Sequence, residues 1–280
     1  MNGSGKVAAR KVQRQVKSEF ANDSLEKYGF SQERGSVHMA RTIMLLELEQ
    51  LLAAVPASAE SRTDYINAIE EDNCLGKRSH KTRVLTRRHL TALYTLNPDI
   101  ALFRALRYFW QRDLEGRPLI AALSAYARDS LFRATAPFVL ELSEGQVFSR
   151  EALQGYIDEK YPGRFSKATL LSTAQNLASS WAQAGHLCGK LKKSRAQAKA
   201  TAGSTAYALF LGYLLGERGQ SLFSTDYAKL LDCSFEKAVE CAETASRKGW
   251  IVFKRVSNVI EVLFPSLLTR QEMEWIREQS

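Results

Sequence analysis

Apolar residues recur every three or four positions from His38 to about Leu142, the period of amphipathic helices rather than strands. Met44, Leu45, Leu48, Leu51, Leu52 and Val55 form one such run, stopped by Pro56. Ser61 or Thr63 can cap a second run with Tyr65, Ile66 and Ile69. Ser79 can cap a third, with Val84, Leu85, Leu93 and Leu96 inward and an end before Asn97-Pro98. Asp99 opens a fourth carrying Leu102, Phe103, Leu106, Phe109 and Trp110. Gly116-Arg117-Pro118 breaks the chain, and Leu119 to Ala127 resumes the pattern. A last helix around Leu131 to Leu140 is bent or interrupted at Pro137. Short connections between five to seven such helices predict a helical bundle over residues 38–145.

The pattern changes at Phe148. Ser149 opens a helix through Ile157 that ends near Pro162-Gly163. Ser166 caps a longer one with Leu170, Leu171, Ala174, Leu177, Ala178 and Trp181 inward, closed by Gly185. His186 to Leu191 then reads as a short strand entering a basic stretch. Helix, turn, helix and strand is the winged-helix order, here over residues 146–203. The order recurs over 204–268. An apolar helix near Ser204 to Leu215 precedes a short helix capped by Ser224, a turn at Asp232-Cys233-Ser234, and a helix from Phe235 to Lys248. Trp250 to Lys254 and Val259 to Phe264 follow as a hairpin. Residues 1–37 read as a flexible basic arm holding Lys6, Arg10, Lys11, Arg14 and Lys17, and residues 269–280 as a terminal helix or tail. The predicted fold class is mainly α, a helical bundle followed by one or two winged-helix units.

Charge sharpens this division. Of a net charge of +9, residues 146–203 carry +6 and residues 204–280 carry −1. Residues 160–216 contain eight Lys or Arg and no Asp or Glu. A polyanion is the simplest partner for such a surface, since each neutralised phosphate releases counterions and a nearby carboxylate opposes that. Within the gap, Lys167, Thr169, Ser172, Thr173, Gln175, Asn176 and Ser179 are expected on the outer face of one helix, where such side chains bond phosphates or base edges. Lys190, Lys192, Lys193 and Arg195 are expected to hold phosphates from the trailing wing. A second acid-free window, Asn73 to Pro98, carries Lys77, Arg78, Lys81, Arg83, Arg87 and Arg88, a candidate phosphate or RNA patch. The helix after Ser234 bears Glu236, Glu240 and Glu243, which would repel phosphates, so the unit over 204–268 reads as a protein-contact module.

Catalytic and metal motifs find little support. His38, His80, His89 and His186 occur in no HExxH or Cys–His spacing, there is no GxSxG, and Cys74, Cys188, Cys233 and Cys241 form no CxxC pair. No enzymatic activity and no cofactor are expected. The cysteine usage and the lack of a visible signal peptide suggest a cytoplasmic protein. The longest apolar run, Ala206 to Leu215, is too short to span a bilayer and predicts a buried helix, so no membrane association is expected.

The stretch Ile69 to Arg83, containing Asn73, Leu75, Lys77, Arg78, Ser79, Thr82 and Arg83, resembles the N-x-L-x-K-R-S-x-x-T-R segment of the BrxA family. That family is the small NusB-like component of BREX bacteriophage-exclusion systems. Thr169 to Leu187, a polar helix followed by Ala184-Gly185-His186-Leu187, is similar to the family's later segment. The resemblance covers roughly residues 40 to 190. It implies a NusB-like bundle joined to a winged-helix element, double-stranded DNA binding, and a non-catalytic part in phage defence; binding dominated by phosphate contacts would be weak in sequence specificity. It also implies phosphate contacts at Lys77, Arg78, Lys81 and Arg83. The chain departs from the pattern in its basic arm and in its extra unit after residue 204. Three alternative readings remain: a NusB-like RNA-binding antitermination factor, a transcriptional repressor, and an assembly subunit whose basic faces bind acidic proteins; residues 204–268 are the candidate contact with other BREX proteins.

Overall fold

A computed structural model describes residues 25–31, 35–257 and 259–278. Among these residues the chain is mainly helical, with two small antiparallel hairpins. Most helices start where the sequence supplies an acceptor for the unpaired N-terminal amides. After α1 (Leu45–Ala54), Ser61 caps α2 (Arg62–Glu70) in a reciprocal pair with Asp64. Ser79 caps α3 (His80–Tyr94). Asp99 does not open the next helix; α4 (Ala101–Arg112) begins after Ile100 without a side-chain cap. Gly116-Arg117-Pro118 is likewise a start and not a break. It places Pro118 in the first turn of α5 (Arg117–Arg128), where the missing N–H has no helical partner to lose. Asp129 caps α6 (Ser130–Leu140), which runs as one element through Pro137.

A bridge between Val147 and Ser194 precedes α7 (Arg150–Lys160), capped by Ser149, and α8 (Lys167–Gln183), capped by Ser166. Two short strands come next, β1 (Leu187–Cys188) and β2 (Ser194–Arg195), in antiparallel register with Leu187 opposite Arg195. The strand expected over 186–191 is shorter because Gly189 turns the chain at φ 96°. The chain continues through α9 (Ala202–Leu214), a 3-10 turn over Gly219–Ser224, α10 (Asp226–Lys229) and α11 (Phe235–Arg247). The cap of α10 is Thr225, not Ser224. β3 (Val252–Val256) and β4 (Val259–Leu263) pair as the second hairpin, before α12 (Arg270–Glu278).

One hydrophobic core runs from Tyr28 to Ile276. Its centre is α9, where every residue but Tyr213 is buried. This helix packs on α4 and α5 on one side and on α10 and α11 on the other. Polar contacts fix its seat: Tyr207 donates to the Leu102 carbonyl at 3.2 Å, and the Gly203 amide donates to Asp113 at 2.6 Å. The chain end folds back too, with Arg104 of α4 paired to Glu272 at 2.5 Å. Of the arm expected over residues 1–37, residues 1–24 with their five basic side chains lie outside the described residues. Tyr28, Phe30 and Val37 are buried in the core.

Two inward faces differ from expectation. On α3 the buried residues are Thr86, Leu90, Leu93 and Tyr94, while Val84 is half-buried and Leu85 exposed. Thr86, Leu90 and Leu93 make one i, i+4, i+7 stripe, and Val84 and Leu85 sit a step away from it. On α8, Leu171 is 45% exposed and Thr173 is fully buried.

Candidate nucleic-acid interface

The short pairing of 145–148 with 193–195 sets the site. The Phe148 amide donates to the Lys193 carbonyl at 2.9 Å, and the Arg195 amide donates to the Gln146 carbonyl at 2.8 Å. This lays the loop between β1 and β2 beside the start of α7 and the outer face of α8. The result is a cleft of about 300 Å³ lined by Arg150, Gln175, Ser179, Lys190, Lys192 and Lys193, over a floor of Phe148 and Ala178. Glu151 is the one carboxylate in its lining. Its own backbone amide and the Ser149 hydroxyl hold it below the usual carboxylate range, so it stays ionised. Four cations against one anion leave the cleft strongly positive, which suits a phosphate-bearing ligand.

Gln175, Lys190, Lys192 and Lys193 are therefore brought together as the sequence suggested. Lys167 is exposed at the α8 N-terminus, and Thr169 and Ser172 lie along the same helix. Arg150 was missed. Nothing local marks it, because its place beside the loop comes from the long-range pairing of Phe148 with Lys193.

Two expected contacts are overturned, and a third residue is partly engaged inside the protein. Arg195 is 6% exposed and does not face solvent. It donates to both carboxylate oxygens of Asp232, at 2.8 and 2.6 Å, and to the His186 carbonyl. Alternation along β2 explains this, since Ser194 and Arg195 must point to opposite faces of the hairpin. Thr173 is buried, so it cannot contact a ligand. Asn176 is half-buried and donates to the His38 carbonyl at 3.0 Å, fastening α8 to the 3-10 turn Val37–Met39. Helix α8 thus has a polar seam turned into the protein as well as a polar outer face.

The corner between α2 and α3 is partly neutralised. Lys77 pairs with Glu47 at 3.2 Å and Arg87 with Glu70 at 2.7 Å. Arg83 donates to the Glu71 carbonyl at 3.2 Å. Arg78, Lys81 and Arg88 are exposed and make no ion pair among the described residues. The usable cations there are three, not six.

Under α8 lies a buried polar cluster that the sequence did not reveal. His38 Nδ1 is 3.1 Å from Asp129, and His38 Nε2 is 3.0 Å from the Ser180 hydroxyl. The spacing resembles a nucleophile–base–orienter set. The proton count opposes that role. Ser180 donates its one proton to the Asn176 carbonyl at 2.7 Å and accepts from the Ile43 amide, so His38 must be the donor to it. Ser180 and His38 are fully buried, and the cleft of about 240 Å³ that touches Asp129 includes neither of them. Burial works to raise the Asp129 carboxyl, but the His38 charge, the Phe132 amide and the Ser36 hydroxyl hold it down at about 2. The cluster ties three distant segments together.

His186 sits behind the hairpin with its Nε2 3.0 Å from the Leu230 carbonyl. Burial pushes its imidazole down to about 4, against the opposing pull of Asp232. Among the described residues no three His, Cys, Asp or Glu side chains converge as a metal site would need, and no helix is long and apolar enough to cross a membrane. Comparisons with protein-family models and with curated proteins found no match to the chain.

Proposed function

We propose that the protein is a non-catalytic DNA-binding component of a BREX-type phage-defence system. In this reading residues 146–203, with the Val147–Ser194 bridge, α7, α8 and the β1–β2 hairpin, form a winged-helix-like unit joined to a NusB-like bundle over residues 38–145. Residues 189–193 are its wing. The observation that carries the reading is the convergence of Lys190, Lys192, Lys193 and Arg150 on one cleft beside the acid-free outer face of α8. Lysine heads engage phosphates, while small side chains on α8 allow its backbone to approach a groove closely. Contacts of this kind supply affinity with little sequence preference. The second helix–hairpin unit exposes Glu236, Glu240 and Glu243 on α11 and serves to contact other proteins of the system.

The test is duplex binding across a salt series, with single-stranded RNA as competitor. Affinity falls steeply as salt rises, because displaced counterions return. Absence of duplex binding at low salt would remove this reading, and stronger competition by RNA than by duplex would replace it with the RNA-binding one.

A further inference from the structure

Leu191 is completely exposed, at 101% of its reference surface, in the middle of Lys190, Lys192 and Lys193. A single exposed leucine is ordinary. This one is held outward by a loop with little freedom. Gly189 has φ +96°, and a Cβ there would lie 2.2 Å from the Lys192 carbonyl oxygen. Lys193 Nζ donates back to the Gly189 carbonyl at 3.1 Å. The strand register and the Phe148–Lys193 hydrogen bond anchor both ends of the loop. Leu191 also lines the cleft together with Gln175 and Ser179. Leu171, likewise exposed, is a second apolar group on the outer face of α8.

We propose that Leu191 is an apolar probe that enters a groove of the bound duplex between phosphates held by its lysine neighbours. This rests on the DNA-binding reading above. Lysines on both sides of one residue place their ammonium groups on the sugar–phosphate rails. The residue between them faces the groove, whose walls are deoxyribose and base edges. Apolar side chains are used in such positions to contact sugars or to wedge a base step open. The leucine contributes nothing to folding where it stands, so its burial against the duplex is entirely a gain of binding. That gain involves no counterion and is insensitive to salt.

The experiment measures affinity of the full chain for a duplex of about 20 base pairs over a salt series, comparing Leu191→Ala, Leu191→Ser and Lys192→Ala. Both Leu191 variants are expected to weaken binding about five- to tenfold at every salt concentration, with log–log lines parallel to that of the parent. Lys192→Ala is expected to make the line shallower by about one unit of slope. Full affinity of the Leu191 variants alongside an altered slope for Lys192→Ala overturns the probe and leaves DNA binding standing. No effect from any of the three overturns the probe and moves the interface off the β1–β2 loop, whereas absence of duplex binding by the parent at low salt overturns the DNA-binding reading itself. Unchanged duplex affinity with lost binding of Leu191→Ser to anionic phospholipid vesicles overturns the probe in favour of a membrane-facing loop. Unfolding midpoints stay level across the set, because both sites are on the surface.

Discussion

Arg195 and Asp232 meet through two parallel hydrogen bonds, and this pair fastens the lysine-bearing hairpin to the turn before α11. Asp232 holds a left-handed backbone at φ 56° to make the contact and also accepts from the Ala198 amide at 2.9 Å. Removing one partner strands the other charge in a buried place. Asp232→Ala is expected to cost about 3–5 kcal/mol in a urea unfolding experiment. The double change Arg195→Met with Asp232→Leu should recover much of that loss.

The same pairing separates Arg195 from its lysine neighbours in function. Replacing Lys190, Lys192 and Lys193 together by Ala should flatten the salt dependence of duplex binding by about 2–3 units of log–log slope. Arg195→Ala should leave the slope unchanged while lowering stability, which a fluorescence anisotropy series and a thermal melt would show side by side.

Gly189→Ala is a backbone test of the loop. The positive φ and the Lys192 carbonyl both oppose a side chain. The loop must shift, at a cost of about 1–3 kcal/mol, and duplex affinity should fall although every charge is kept.

Acidification should weaken the fold in two stages. His186 titrates at about 4 in the folded chain against an ordinary value of 6.5. Between these values the unfolded chain binds a proton that the folded chain refuses. The stabilisation is fully present above 6.5 and is lost as pH falls toward 4, by about 3 kcal/mol. Asp129, held at about 2 against 3.8, contributes stability above 3.8 that disappears as pH falls toward 2. Urea midpoints recorded from pH 7 to pH 3 measure the first stage and the onset of the second. His186→Gln should flatten the upper stage alone.

At the α3 corner, replacing Arg78, Lys81 and Arg88 by Ala should leave the melting temperature within a degree or two, since none of the three is ion-paired among the described residues. Duplex affinity should fall if the corner shares the ligand with the hairpin loop, and an unchanged affinity would confine the interface to residues 146–203.

Many of the helices were legible because their caps are local. Ser61, Ser79, Ser149 and Ser166 act within three residues of themselves. The charge segregation was legible only in part, since acids missing from a stretch of sequence can arrive from elsewhere, as Glu47 and Glu70 do at the α3 corner and Asp232 does at Arg195. The features that escaped were set by contacts far apart in the chain. Arg195 finds Asp232 across 37 positions, and Ser180 finds His38 across 142. A buried arginine and an exposed one look alike in a basic run until the partner is seen. Polar residues such as Thr173 and Asn176 are equally ambiguous on a helix that has both a solvent face and a seam against its neighbours.

Helix α9 is shared between the bundle before it and the helix–hairpin unit after it. A fragment ending before Ala202 would leave the apolar surfaces of α4 and α5 open to water, and one beginning there would expose the flank of α9 that packs on them. The chain is therefore expected to unfold as one unit. Any surface presented after residue 204 is carried on the keystone of the bundle, so a partner gripping that end holds the whole molecule, lysine loop included, in a fixed orientation.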